Sequence, residues 1–210
     1  MKILVILAVM TGTTLAQSVH EVPFASNENV LEVTVENPAS TSISNVTLRV
    51  LQAPKWFQLT SREPALGHIS AHQGAVARLS FSIERSAPIG KPEPLVYTIL
   101  DESGQRWTRE MRLSVAPPAE FALFQNYPNP FNPTTTVGYQ LAAESKVRLS
   151  VYDLLGREVA VLADGTGWTG FHKGTMDASS LSSGMYILRL VATPQGGKQV
   201  VKQRTMTVLK

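Results

Sequence analysis

The groups that could do chemistry in this 210-residue chain are few: four histidines, His20, His68, His72 and His172, scattered carboxylates, and no cysteine. Without thiols there can be no disulfide, no thiolate metal site, no cysteine nucleophile and no lipid-bearing cysteine. His68 and His72 stand four residues apart, which on a helix would place two imidazoles on one face for a metal. Gly67 and Gly74 flank them, and the surrounding pattern is that of strands, so they read as solvated loop histidines. Asp101 and Glu102 share a turn, but a calcium ion takes about six to eight oxygen ligands and two carboxylates do not supply them. Asp153 and Asp177 also fall at turns, and the chain has neither a Gly-x-Ser-x-Gly elbow nor a phosphate-binding loop. The sequence therefore predicts no catalytic residue, no metal and no cofactor, and a protein that is not an enzyme.

Aromatic residues are the other source of a binding site. Trp56 and Phe57 are adjacent, and on a strand they would point to opposite faces, leaving one partly exposed. An exposed tryptophan can stack on a sugar or insert into a protein partner, which makes Trp56 the candidate ligand contact. Burial at the edge of a core is the commoner fate of a lone tryptophan. Trp107 is in phase with Met111, Leu113 and Val115 and reads as core, whereas Trp168 lies in a glycine-rich loop.

The elements that must position these residues are strands. "VLEVTVE" (30–36) alternates Leu31, Val33 and Val35 with Glu32, Thr34 and Glu36, and Asn37-Pro38 ends it. "NVTLRV" (45–50), "ARLSFSIE" (77–84), "LVYTILD" (95–101) and "RWTREMRLSV" (106–115) continue the pattern, the last two joined by a turn ending in Gly104. Ala116-Pro117-Pro118 stops it, because two consecutive prolines cannot continue a central strand. A second set follows: 136–141, 146–153, 157–162, 185–192 and 198–209. Leu154-Leu155-Gly156 and Pro194-Gln195-Gly196-Gly197 serve as hairpin turns. The expected fold class is all-β, two β-sandwiches in tandem over 17–116 and 134–210, with a proline-rich linker and lead-in loop at 117–133. No residue-level repeat relates the halves.

Ahead of the first sandwich, "MKILVILAVMTGTTLA" (1–16) has the order of a secretory leader: Lys2, an apolar core from Ile3 to Met10, and Thr14-Leu15-Ala16 before Gln17. The competing reading is a buried strand. The apolar run is well short of the roughly 20 residues that a membrane span needs, and no other segment approaches that length. Formal net charge is +3, and +2 once Lys2 leaves with the leader. The cations are dispersed and form no basic stripe, so nucleic acid is not an expected partner.

The lead-in loop carries "FQNYPNPFNPTTTVGYQL" (124–141). Prolines 128, 130 and 133 fix their own φ and hold Tyr127, Asn129 and Asn132 extended. The asparagines are placed to cap turns, and Tyr127 and Phe131 are the expected anchors onto the sandwich. This segment resembles the opening of the C-terminal sorting domain of the bacterial type IX secretion system, an immunoglobulin-like domain similar to that of flagellar hook-capping proteins. "VRLSVYDLLGREVAVL" (147–162) resembles the family's second block and "GFHKGTMDASSLSSGMYILRL" (170–190) its third. Met176 stands where the family usually carries an aromatic residue, and "MTVLK" (206–210) closes the resemblance, which begins near residue 119.

The resemblance implies export to the periplasm, recognition by an outer-membrane type IX translocon, and either release or attachment at the cell surface after removal of the domain by a sortase-like peptidase. It places the sorting signal on about 183–210, with Gly184, Tyr186 and Lys210 as signal candidates. An ordinary edge strand guarded by Lys198, Lys202 and Arg204 accounts for the same segment, and an accessible edge is also what a receptor pairs with. "GAVARLSFSIERSAPIGKPEPLVYTILDESGQRW" (74–107) is similar to immunoglobulin-like domains found beside glycoside hydrolases and on bacterial surface proteins. That implies a non-catalytic adhesion or glycan- or protein-binding module, or else a structural spacer.

Overall fold

A computed structural model describes residues 3–9, 19–61 and 63–210, and contacts divide the chain into two compact units, Met1–Ala116 and Pro117–Lys210. The fold is all-β, without a helix among the described residues. The first unit runs β1 (Ile3–Val9), β2 (Val19–Val22), β3 (Asn29–Glu36), β4 (Ile43–Gln52), β5 (Phe57–Leu59), β6 (Ala65–Ile69), β7 (Gly74–Ile83), β8 (Glu93–Leu100) and β9 (Arg106–Val115). These form two sheets, β1-β3-β7-β5 and β2-β9-β8-β4-β6, closed over a common core. Alternation puts Leu31, Val33 and Val35 of β3 and Ala77, Leu79, Phe81 and Ile83 of β7 inside, facing Leu48, Leu95, Ile99 and Leu113 of the other sheet.

The second unit runs β10 (Ala122–Leu123), β11 (Thr134–Leu141), β12 (Ser145–Tyr152), β13 (Glu158–Gly167), β14 (Gly170–Asp177), β15 (Gly184–Pro194) and β16 (Val200–Val208). Its sheets are β10-β11-β14 and β13-β12-β15-β16. Val137, Leu141, Leu149, Leu188, Leu190 and Met206 meet between them. Met176 is buried in this core.

Strands missed by the sequence pattern are those where alternation is too short or blurred. β2, β5 and β10 have four residues or fewer. β14 turns Gly170 and Gly174 inward beside Met176, and a glycine in a core position carries no apolar signal. β13 continues past the expected residue 162 to Gly167, against a β12 ladder that shifts register twice. β6 places His68 on a strand, not in a loop.

The leader does not stand wholly apart from the fold, contrary to the sequence expectation. Ile3–Val9 forms β1, which pairs in parallel with β3 from Ile3↔Val30 to Val9↔Glu36. A run of aliphatic residues has high strand propensity, and the outer edge of β3 offers it a row of backbone donors and acceptors. The Thr14–Ala16 cleavage motif lies outside the described residues.

Two hairpins share one turn. In "DESGQ" and "DLLGR" the aspartate amide bonds to the carbonyl of the fifth residue and the glycine amide donates back to the aspartate carbonyl. Gly104 and Gly156 take φ of 82° and 81°, a region open to glycine. Asp153 Oδ1 accepts from the amides of Leu155 and Arg157 at 2.9 Å each, and its Oδ2 accepts from Arg157 Nε at 2.6 Å. The Arg157 amide, then the Arg157 guanidinium, hold the Asp153 carboxyl below the ordinary aspartate value of 3.8. A carboxyl depressed in the fold stabilises it above the unfolded value and loses that contribution as pH falls through the folded one. Asp153→Ala should thus lower the melting temperature at neutral pH, with the gap to wild type closing as pH falls below 3.8; thermal melts across pH check this.

Candidate functional site

The C-terminal residues of the second unit meet the proline-rich loop along one strand edge. β16 ends its sheet, hydrogen-bonded on one side to β15 from Gly184↔Val208 to Ala192↔Val200. Its other side is covered over the C-terminal half by residues 125–131. Gln125 Nε2 donates to the Thr205 carbonyl at 2.8 Å, and the Thr207 amide donates to Asn129 Oδ1 at 2.9 Å. The Phe131 amide donates to the Thr207 carbonyl at 3.0 Å, and the Leu209 amide to the Phe131 carbonyl at 2.9 Å. The loop thus acts as a partial edge strand. Residues 201–205, with Lys202 and Arg204 among them, remain exposed.

The sequence expectation for the loop anchors is half right. Phe131 is buried in the core, but the Tyr127 side chain is 83% exposed. Tyr127 is held by its backbone, which exchanges both hydrogen bonds with Thr136. The inner anchor is Asn126, 2% exposed. Its amide group donates to the Pro128 carbonyl at 2.9 Å and to Thr135 Oγ1 at 3.1 Å, while Gln125 Nε2 donates to its Oδ1 at 2.8 Å. Thr135 Oγ1 donates to the same Pro128 carbonyl at 2.8 Å. No periodic signal marks Asn126, because its partners come together only when the loop folds back onto β11. The Tyr127–Pro128, Asn129–Pro130 and Asn132–Pro133 peptide bonds are cis.

The three signal candidates lie together at this end. Gly184 opens β15 with φ 153°, and a Cβ there would touch nothing within 4 Å, so the demand for glycine is one of backbone conformation. Tyr186 is nearly buried and donates its phenol to the Ser182 carbonyl at 2.9 Å, closing the turn before β15. The Lys210 amide donates to Ser183 Oγ at 3.0 Å, and Lys210 Nζ to the Ser179 carbonyl at 3.0 Å. The tail is therefore held between the 179–183 turn and the proline-rich loop. Asp177 Oδ1 accepts from the hydroxyl and amide of Ser179, and the hydroxyl bond, then the amide bond, keep that carboxyl below its ordinary range. Continuing the β12–β15 register past Tyr152↔Ile187 brings the 153–157 turn alongside. Leu154, Leu155, Met185, Leu209 and Tyr127 are all exposed around this end of the unit.

The remaining candidates are not brought together. Trp56 is 5% exposed and Phe57 3%. The expected exposure of one of them fails because Trp56 lies in the turn before β5, where strand alternation does not apply. The two rings meet edge to face at 6.2 Å, and Phe57 stacks on Phe81 at 4.4 Å. The Trp56 indole donates to Glu93 Oε1 at 3.0 Å. Trp56 therefore offers no face to a ligand. Trp107 is partly buried against the same core, and Trp168 is exposed.

His68 Nδ1 lies 3.3 Å from Ser44 Oγ, and His72 sits in a turn at φ 56°. Burial lowers the pKa of His20. The His172 ring stacks on Tyr139 at 5.1 Å and its Nε2 is 2.6 Å from the Trp168 carbonyl. Asp101 Oδ1 accepts from Ser103 Oγ at 2.7 Å and the Gln105 amide at 2.9 Å, so it serves its turn. Among the described residues, no three or more of His, Asp and Glu are placed to hold a metal, and no helix is long and apolar enough to cross a membrane.

Residues 125–204 match the family model described as the secretion system C-terminal sorting domain. The second unit carries a type IX sorting domain. Such a domain indicates export and a secreted or cell-surface protein. No curated protein matches the sequence. Among solved structures, the dimeric latent PorU of Porphyromonas gingivalis is 16% identical, with 79% of this chain and 16% of that one covered and a TM-score of 0.35. The CupB2 chaperone of Pseudomonas aeruginosa is 12% identical, with 88% and 95% covered and a TM-score of 0.30. The YadV chaperone is 12% identical, with 89% and 96% covered and a TM-score of 0.31. Likeness at this level says nothing of ligand or activity.

Within the sorting domain, Asn126 is the buried polar group on which the loop depends. Asn126→Ala leaves the Pro128 carbonyl and Thr135 hydroxyl short of a partner, and should destabilise the domain by about 1–3 kcal/mol. Urea unfolding of the variant and wild-type chains measures the loss.

Proposed function

We propose that the chain is exported through a leader cut after Ala16, and that the translocon reads the sorting domain at its tail end. The match of residues 125–204 to the sorting-domain family carries this reading. The tail geometry supports it: Tyr186 and Lys210 bond to the 179–183 turn, Gly184 pairs with Val208, the proline-rich loop bonds to Thr207 and Leu209 of the same tail, and Leu154, Leu155, Met185 and Leu209 are exposed. Exposed apolar side chains and, farther along β16, a strand edge left open at 201–205 are features suited to a protein receptor. A sortase-like peptidase then removes the domain, and the product is released or attached at the cell surface.

For the first unit the reading is a non-catalytic structural component of the cell surface. Among the described residues its exposed large hydrophobics are the aliphatic Val19, Leu51 and Val76, while Trp56 is buried. Sugar stacking calls for an exposed aromatic face, so the glycan-binding alternative loses its candidate.

Surface fractionation in a host with a type IX translocon tests the route. Chains ending before Ser183 should stay in the periplasm. Removing only Leu209 and Lys210 should lower surface delivery while the thermal melt of the purified chain stays cooperative. Delivery of both truncated chains at wild-type levels would place the signal elsewhere. Amino-terminal sequencing of the exported protein should begin at Gln17, and an intact Met1 would refute the leader.

A further inference from the structure

β3 has an outer edge whose occupant must change if the leader is removed. In the full chain β1 lies on it in parallel over seven register positions, Ile3↔Val30 to Val9↔Glu36. Loss of residues 1–16 removes β1 entirely and makes β3 the end strand of β3-β7-β5. This step rests on the leader reading given above.

The edge so uncovered has few of the usual protections. β3 is eight residues long and its pairing with β7 runs unbroken from Asn29↔Phe81 to Glu36↔Gly74, without a bulge. It contains no proline and no lysine. Leu31, Val33 and Val35 face the core, and Glu32, Thr34 and Glu36 face outward, half-buried. Glu32 already accepts from Arg78 Nε on β7 at 2.8 Å, so its charge is compensated. A regular edge without bulge, proline or lysine, and with Glu32 already paired, is a template for another strand.

We infer that, in the chain lacking its leader, this edge is an interface with a second copy of the protein, formed by β3 pairing antiparallel with its own counterpart about a two-fold axis at Val33. The sequence of β3 selects that register. With Val33 opposite Val33, Leu31 faces Val35, Glu32 faces Thr34 and Val30 faces Glu36, and no two glutamates are opposed. Sliding by two residues sets Glu32 against Glu32 in one direction and against Glu36 in the other, both like-charge pairs directly across the ladder. Sliding by one residue sets core-facing against outward-facing positions, which the pleat forbids. The two-fold contact is isologous and closed, so it ends in a dimer and not a fibre. Before cleavage β1 holds the same edge, and the precursor stays single.

Light scattering across a concentration series tests this on residues 17–210 and on the full chain, with the folded state of each followed by a thermal melt. The shorter chain should dimerise and the full chain should not. Thr34→Glu places a carboxylate opposite Glu32 twice in the two-fold dimer and should weaken it about tenfold; Thr34→Lys should tighten it by a similar factor. A folded 17–210 that stays monomeric, or a Thr34→Lys change that weakens as Thr34→Glu does, would overturn the interface.

Because the chain has no cysteine, register can be read directly by crosslinking. Glu32→Cys chains mixed with Thr34→Cys chains should form a disulfide-linked dimer on oxidation, and neither should do so alone. Linkage in either single preparation, or none in the mixture, refutes the register. An exported protein that retains Met1 would refute the leader reading while leaving the solution behaviour of 17–210 as a separate result.

Discussion

A β-strand has two hydrogen-bonding edges, and in an all-β chain without cysteine the fate of the last edge in each sheet governs much else. Interior strands are satisfied by their neighbours through the ladders. End strands must be covered, charged or left available. Here three treatments coexist: β1 covers β3, the proline-rich loop covers the C-terminal half of β16, and Lys202 and Arg204 guard the exposed remainder of β16.

The loop treatment explains why stiff sequence stands at the start of the second sandwich. Phe131 supplies the apolar anchor and a two-way backbone clasp on Thr207 and Leu209, while Asn129 and Gln125 supply side-chain bonds to the same strand. Asn126 and Thr135 bind the loop to itself through the Pro128 carbonyl. The first and last parts of the sorting domain are therefore a single hydrogen-bonded assembly. A change in either is expected to disturb the other, so loop and tail cannot be treated as independent signals. The tail end also gathers side chains that a soluble monomer would rather hide, since Leu155 is 82% exposed in a turn whose geometry needs only its aspartate and glycine.

The departures from the sequence reading have three causes. Periodicity predicts the face of a residue only inside a regular strand. Trp56 precedes β5 in a turn, so its burial follows from the Phe57–Phe81 cluster and the Glu93 acceptor. Tyr127 lies in a loop held through its backbone, leaving its ring outside while the polar Asn126 is enclosed. In β14 two inward glycines erased the apolar stripe. At β1, the residue order of a secretory leader coincides with an aliphatic composition that serves equally well as a strand.

What the sequence determined alone is what alternation, turn chemistry and motif order encode locally: the long strands β3, β4, β7, β8, β9, β11, β12, β15 and β16, the Asp–Gly hairpins, the all-β class and the sorting-domain resemblance. Side-chain period is a property of consecutive residues, and a turn residue acts on its own backbone, so both are written in the order of the chain. The tertiary structure decided which edges are covered and by what. Asn126 meeting Thr135, Phe131 meeting Thr207 and Leu209, Lys210 meeting Ser179 and Ser183, and β1 meeting β3 join residues between 9 and 78 positions apart along the chain. Such contacts depend on where the sheets end in space, which no local pattern specifies.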